Sequence, residues 1–315
     1  MFLDFAIVPQ VFEKAYLEDN PEQLFALTAL LRDISQRGMI TALNNKDWNK
    51  EVLERIKILP KNSFEKMTVI LNVLKDRHRI VGHPKQENIQ YTTEMDWLAL
   101  AKDLDTKATF ETIISTQYCE SCQQPLQAHE HMSELEAGTQ VIIQNRENMK
   151  IQLSPLLRYA RKLTLIDPYF NVTQKRFKDS LELMAECLSQ RRGERLKESQ
   201  IIINARFVDE YGAKNYNDRT DTPEYDQKWK EIFNNIQQRY GHKCKLQLWD
   251  DNKRMHDRYI LTDQCGVSVG LGLDMDYTDS RESSWGMLQY DLYVKKREAV
   301  VENSSPYSLK KTILI

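Results

Sequence analysis

The stretch His256-Asp257-Arg258-Tyr259-Ile260-Leu261-Thr262-Asp263 carries an imidazole and a guanidinium at a spacing that suits phosphate chemistry. Large and polar residues alternate along it in the manner of a strand. Strand side chains repeat every two residues, so His256, Arg258 and Ile260 are expected on one face. A guanidinium so placed neutralises phosphate oxygens, and a histidine beside it can attack phosphorus or carry the leaving-group proton. Gly270 and Gly272 follow, where backbone without a side chain can approach an anion closely. These residues describe a phosphodiester site, or the remains of one.

His256, Asp263 and Gly270 fall in register with the motif HxKx4Dx6G, so the stretch resembles the phospholipase D superfamily, with Arg258 where that family has lysine. The resemblance is closer to one branch, the phospholipase D-like C-terminal domain of MIT (microtubule-interacting and transport) proteins. That branch is marked by an HDR strand, a GxGLD segment and an upstream strand ending in DPY. Here these are His256-Asp257-Arg258, Gly270-Leu271-Gly272-Leu273-Asp274 and Asp167-Pro168-Tyr169, and the resemblance covers residues 150 to 300. It implies an α/β domain with a mixed sheet. His256, Arg258 and Asp263 would be its catalytic candidates, and Gly270, Gly272 and Asp167 its phosphate-binding ones. In active members of the superfamily two copies of the motif meet, one histidine attacking phosphorus while the other protonates the leaving oxygen. This chain has one copy, so such an activity implies a two-fold homodimer and needs no metal cofactor. Eukaryotic members of the branch are regarded as membrane-binding modules. Arginine also binds phosphate bidentately without acting as lysine does. Catalytic and purely binding roles for His256 both stay open.

A second set of candidates lies in the first half. Asp4 interrupts an apolar run that is expected to be a buried strand, and a buried carboxylate is costly unless paired or bound to metal. Thr93 with Asp96 marks a helix start before a strand at 110–115. This order of strand, helices and strand resembles PIN-like nuclease domains over residues 1 to 125. That resemblance implies Asp4 and Asp96 as ligands for Mg²⁺ or Mn²⁺, which would generate a hydroxide and clamp phosphate. The acidic residue that the family places after the last strand is replaced by Gln117, with Glu120 nearby. Cys119 and Cys122, followed by His129 and His131, offer the donors of a zinc knuckle or, alternatively, a polar hinge with reduced thiols. His83-Pro84-Lys85 imitates the HxK spacing, but its proline breaks a strand.

The elements that must position these residues follow from periodicity. Asn20-Pro21 opens a helix that closes before Gly38, with Leu24, Leu27, Leu31 and Ile34 on one face. Asn62 with Glu65 reads as a capping box for another. Residues 133–150 read as a connecting helix between an N-terminal domain (1–132) and a phospholipase D-like domain (151–304), with a tail at 305–315. Strands are expected at 161–169, 201–208, 246–249 and 255–262, with helices between the first three, so the domain is α/β with its site at the strand ends. There Asp167, the polar loop 209–224 and His256 would converge. A basic cluster, Arg191, Arg192, Arg195 and Lys197, could rim it. Residues 286–294 read as an edge strand.

Across 315 residues the charges nearly cancel, with 44 Lys and Arg against 46 Asp and Glu, so any polyanion contact must be local. No apolar stretch is long enough to span a membrane, and five cysteines without a secretory signal argue for a cytoplasmic protein rather than a disulfide framework. The expectation is therefore a nucleic-acid phosphodiesterase, of the kind found in bacterial defence or toxin-like effectors. Against it stands a non-catalytic module that holds phosphate groups of a membrane surface, nucleic acid or a partner protein.

Overall fold

Apolar runs too short for helices alternate with amphipathic stretches along the chain, and each run becomes a strand covered by the helices on either side of it. The computed structural model describes residues 2–83, 91–105, 110–135, 139–190, 199–250, 256–300 and 305–315. The fold is α/β, in two compact units that part near residue 138.

The N-terminal unit runs β1 (Leu3–Ile7), α1 (Lys14–Asp19), α2 (Pro21–Arg37), β2 (Gly38–Ala42), α3 (Lys46–Lys57), α4 (Lys61–Asp76), β3 (Ile80–Gly82), α5 (Glu94–Asp105), β4 (Thr112–Ile114), β5 (Cys122–Gln123) and α6 (Pro125–Glu134). Its five strands are all parallel, in the order β3-β2-β1-β4-β5. Residues 4 to 7 of β1 are all buried, as expected of a strand covered on both faces. Helix α2 starts at Pro21 and ends before Gly38, burying Leu27, Leu31 and Ile34. Helix α4 starts one residue before Asn62, with Pro60 as its N-cap and no side-chain cap, so the proposed box of Asn62 and Glu65 is not used.

The C-terminal unit runs β6 (Gln140–Ile143), α7 (Arg146–Leu157), β7 (Lys162–Ile166), α8 (Lys175–Ser189), β8 (Gln200–Arg206), α9 (Pro223–Tyr240), β9 (Lys243–Trp249), β10 (Tyr259–Thr262), β11 (Gly266–Val269), β12 (Glu282–Met287), α10 (Tyr290–Glu298) and β13 (Leu309–Leu314). The eight strands lie in the order β13-β9-β8-β7-β10-β11-β12-β6, parallel across β7, β8 and β9 and antiparallel elsewhere. This is the mixed sheet expected. Phe170, Phe177, Trp229 and Phe233 pack ring to ring under α8 and α9 at 5.1–6.3 Å. A buried Asn204 bridges neighbouring strands, donating to Leu165 O at 3.1 Å and accepting from Trp249 Nε1 at 2.9 Å. Both of its polar ends are thereby satisfied.

Three further expectations fail here. Residues 133–150 are not one helix: α6 stops at Glu134, β6 follows, and α7 is capped by Asn145, whose side chain accepts from Asn148 N. The four residues of β6 find their partner far away in sequence, in β12, so local periodicity does not report them. The strand expected at 286–294 ends at Met287, and α10 takes over with Asp291 in its first turn and Lys295, Lys296 and Arg297 in its last, the charge order that a helix dipole favours. The tail at 305–315 is largely a strand, paired along the β9 edge.

Candidate functional site: a cationic cleft at the carboxyl end of the second sheet

Because β7 and β8 are parallel and β10 runs against β7, the end of β7, the end of β8 and the start of β10 lie on one side of the sheet. The helices that cross back from β7 and β8 also begin there. At this end opens a cleft of about 470 Å³. Its lining includes Asp167 just past β7, Arg176 in the first turn of α8, Arg206 closing β8, Lys214, Asp218 and Thr220 from the following loop, Tyr225 in the first turn of α9, Arg258 just before β10, and Arg281 just before β12. The location is the one that open α/β sheets use for ligands, and two helix N-termini add their positive ends to it.

Five cationic side chains (Arg176, Arg206, Lys214, Arg258 and Arg281) face three carboxylates (Asp167, Asp218 and Asp274), a local excess of two positive charges in a chain whose net charge is −2. Asp274, 4% exposed, sits between Arg176 Nη1 at 3.0 Å and Arg281 Nη1 at 2.8 Å. Asp167, 1% exposed, accepts from Tyr169 N at 2.9 Å and Leu273 N at 3.1 Å, with Arg258 Nε at 3.6 Å. Arg258 also donates to Gly270 O at 3.1 Å and lies over the Tyr169 ring. The two buried carboxylates thus hold three of the arginines in fixed directions. Burial pushes the Asp167 carboxyl above its ordinary value and Asp274 adds to the rise, while the two N–H donors and Arg258 act in the opposite sense.

Gly272 makes this packing possible. Its φ is +117°, and a Cβ there would stand 3.0 Å from Asp274 Oδ1, 3.5 Å from Asp167 Oδ2 and 3.6 Å from Arg258 Nε. Only a glycine adopts that backbone readily and leaves the two carboxylates and the arginine room to meet.

The residues picked out by sequence separate into two groups. Asp167, Arg258 and Gly272 line the cleft, and Gly270 offers its carbonyl to Arg258. His256 is exposed and lies outside that lining, three residues before β10 begins at Tyr259. Asp257 turns to Lys296, at 2.8 Å, which holds its carboxyl below the usual range. Asp263 lies past the other end of β10, where it accepts from Arg161 N at 2.9 Å. A four-residue strand therefore separates it from Arg258. The loop 209–224 does reach the cleft, through Gly212, Lys214, Asp218 and Thr220. Arg191, Arg192, Arg195 and Lys197 lie outside the described residues, as do Pro84 and Lys85 of the false HxK. Arg176, Arg206 and Arg281 were missed by motif reading. Each sits at the first turn or the terminus of an element on the functional side of the sheet, and that was the available signal.

The N-terminal candidates find structural partners. Asp4 is buried and accepts from Thr41 Oγ1 at 2.8 Å. Asp96 is exposed, accepting from Thr93 N at 2.8 Å while its own N–H donates to Thr93 Oγ1, which is a complete capping box. Backbone bonds accepted by the carboxylate hold Asp96 below its ordinary range. Cys119 and Cys122 are paired as a disulfide, where reduced thiols are expected. The two residues exchange both backbone hydrogen bonds across a tight turn, which brings their Cα atoms to 5.1 Å. His129 faces Asp33 and His131 bonds Glu111. Among the described residues no group of three or more His, Cys, Asp or Glu side chains is placed to hold a metal ion. No helix among them is long and apolar enough to cross a membrane.

No protein-family model, curated protein or solved structure matches the chain.

Proposed function

We propose that the C-terminal unit is a phosphate-binding module, which holds phosphate groups of a larger ligand in the cleft without cleaving them. The reading rests on one observation: five cations converge against three carboxylates where two helices begin, while the imidazole that would do nucleophilic chemistry stands outside the lining. Arg258 and Arg206 would bind phosphate oxygens bidentately, and the buried Asp167 behind Arg258 keeps it oriented before the ligand arrives. Such binding weakens steeply with salt.

The test is a titration with inorganic phosphate and with dimethyl phosphate, followed by ³¹P line broadening, for the parent chain and for Arg258→Ala. Saturable binding that weakens about 10-fold in the variant is expected from the loss of a charged hydrogen bond. Absence of saturable binding in the parent would refute the reading.

One observation favours a second reading, nucleic-acid hydrolysis by a homodimer. His256 is exposed only two residues from Arg258, so the imidazole is open to a second copy. Labelled DNA and RNA incubated with and without EDTA, alongside His256→Ala, test it. Cleavage that survives EDTA and vanishes in the variant would establish the hydrolase and overturn the non-catalytic reading. Asp4 accepts from Thr41 and Asp96 from Thr93, which leaves lone pairs on each carboxylate, so a Mg²⁺- or Mn²⁺-dependent reaction of the N-terminal unit would show itself as cleavage lost with EDTA and with Asp4→Ala.

A further inference from the structure

Exposed tyrosines stand in the cleft lining and next to lining residues along the chain. Tyr169 is 50% exposed, Tyr211 91%, Tyr216 59% and Tyr277 54%, while among the other described aromatic residues Phe25 and Tyr118 are also open and most of the rest are buried or half-buried. Tyr169 lines the cleft directly. Tyr211 precedes Gly212, and Tyr216 stands between Lys214 and Asp218, all three of them lining residues. Tyr277 lies against Lys175, which is flanked by the lining residues Gln174 and Arg176.

Three of the rings have a cation over one face: Arg258 over Tyr169 at 5.3 Å, Arg219 over Tyr216 at 5.6 Å and Lys175 over Tyr277 at 5.1 Å. Two are tied down by their hydroxyls, Tyr216 donating to Glu224 at 3.1 Å and Tyr277 to Asp179 at 2.7 Å. Tyr216 and Tyr277 are thus fixed at the edge and backed by a cation, Tyr169 is backed by Arg258 alone, and Tyr211 is the most open of the four rings.

Phosphate-binding arginines interleaved with open aromatic faces are what an unpaired nucleic-acid strand requires, because its backbone presents charge and its bases present π-faces. In a duplex the bases are stacked on each other and cannot reach such rings. A lipid surface would instead call for a cluster of apolar side chains to insert, and among the described lining residues Leu271 is the one exposed large aliphatic. A cleft of about 470 Å³ also falls within the size range of sites for small ligands, suiting one nucleotide unit at a time.

Building on the phosphate-binding reading, we propose that the cleft and its tyrosine rim form a track for single-stranded nucleic acid. A backbone phosphate sits among Arg176, Arg206, Arg258 and Arg281, and the flanking bases stack on Tyr169 and Tyr211. The contacts go to phosphates and base faces, so the track tolerates many sequences.

Fluorescence anisotropy with labelled oligo-dT and oligo-U of about 12 nucleotides, within the footprint of known single-strand sites, tests this against the matching duplexes and against vesicles of phosphatidylcholine with phosphatidylserine. Single strands are expected to bind at least 10-fold more tightly than duplexes. Tyr211→Ala and Tyr169→Ala should each weaken the single-strand complex about 5- to 100-fold, the range found for loss of a base-stacking ring, while Tyr169→Phe retains binding. Inorganic phosphate has no base to stack, so Tyr211→Ala should bind it as the parent does. Equal affinity for single strands and duplexes, alanine variants that bind like the parent, or vesicle capture in place of oligonucleotide binding would each overturn the track while phosphate binding stands. Failure of the parent to bind inorganic phosphate would remove the underlying reading as well.

Discussion

Replacing Asp274 by asparagine separates the two roles that a buried carboxylate plays in a cationic cleft. Asp274 accepts from Arg281 Nη1 at 2.8 Å and faces Arg176 Nη1 at 3.0 Å, and its own side chain is 5% exposed while those of Arg281 and Arg176 are 30% and 46% exposed. A hydrogen bond to a charged partner contributes about 1.5–3 kcal/mol when shielded, and much less when one partner is wet. The Arg281 contact then accounts for most of the effect, and the asparagine oxygen can still accept one bond. The expected loss is about 2 kcal/mol, which for a unit of this size lowers the melting temperature by roughly 4–8 °C. Anion binding should move the other way. Removing a negative charge roughly 10 Å from the phosphate, at an effective dielectric near 20 and with salt screening, favours binding by about 0.5–1.5 kcal/mol, or about 2- to 10-fold. Calorimetric melting and phosphate titration on the same preparation test both signs. A folded Asp274→Asn protein that binds phosphate more weakly than the parent would refute the charge argument. Asp274 would then act chiefly by aiming Arg176 and Arg281.

Three further outcomes are expected. Gly272→Ala places a side chain at a positive φ and 3.0 Å from Asp274, so it should cost about 1–3 kcal/mol in stability and reduce phosphate affinity, both read on purified protein. Asp167 takes up its proton above the ordinary carboxylate range, and its protonation raises the positive charge of the cleft. Affinity for dimethyl phosphate, which does not itself titrate there, should therefore rise as pH falls through that window, and Asp167→Asn should flatten the profile. By the same linkage Asp167 favours the folded state below the ordinary carboxylate value, and this contribution is lost as pH rises through its folded value. Asp263→Ala removes the acceptor for Arg161 N at the far end of β10, so it should lower stability by about 1 kcal/mol in a melting experiment and leave phosphate binding unchanged.

Much of the architecture is legible without coordinates because it is written in local chemistry. Pro21 and Gly38 bound α2, Thr93 and Asp96 cap α5, and the apolar runs near 163–166 and 201–205 are the buried parallel strands that they look like. The motif triplets around Asp167, Arg258 and Gly272 also lead to one place, because a strand end, a strand start and a glycine turn must meet wherever β7, β10 and β11 pair.

Pairing between distant segments is what only the tertiary structure decided. Whether residues 140–143 extend a helix or join a sheet depends on β12, some 140 residues later, and no periodicity within four residues can report it. The same holds for Arg176, Arg206 and Arg281, which are unremarkable charges in sequence and become one site only when three separate elements deliver them to the same end of the sheet. His256 and Asp263 show the converse. Seven residues apart in a motif, they are parted by the length of β10, because a strand is extended and carries its two termini to opposite ends of the sheet.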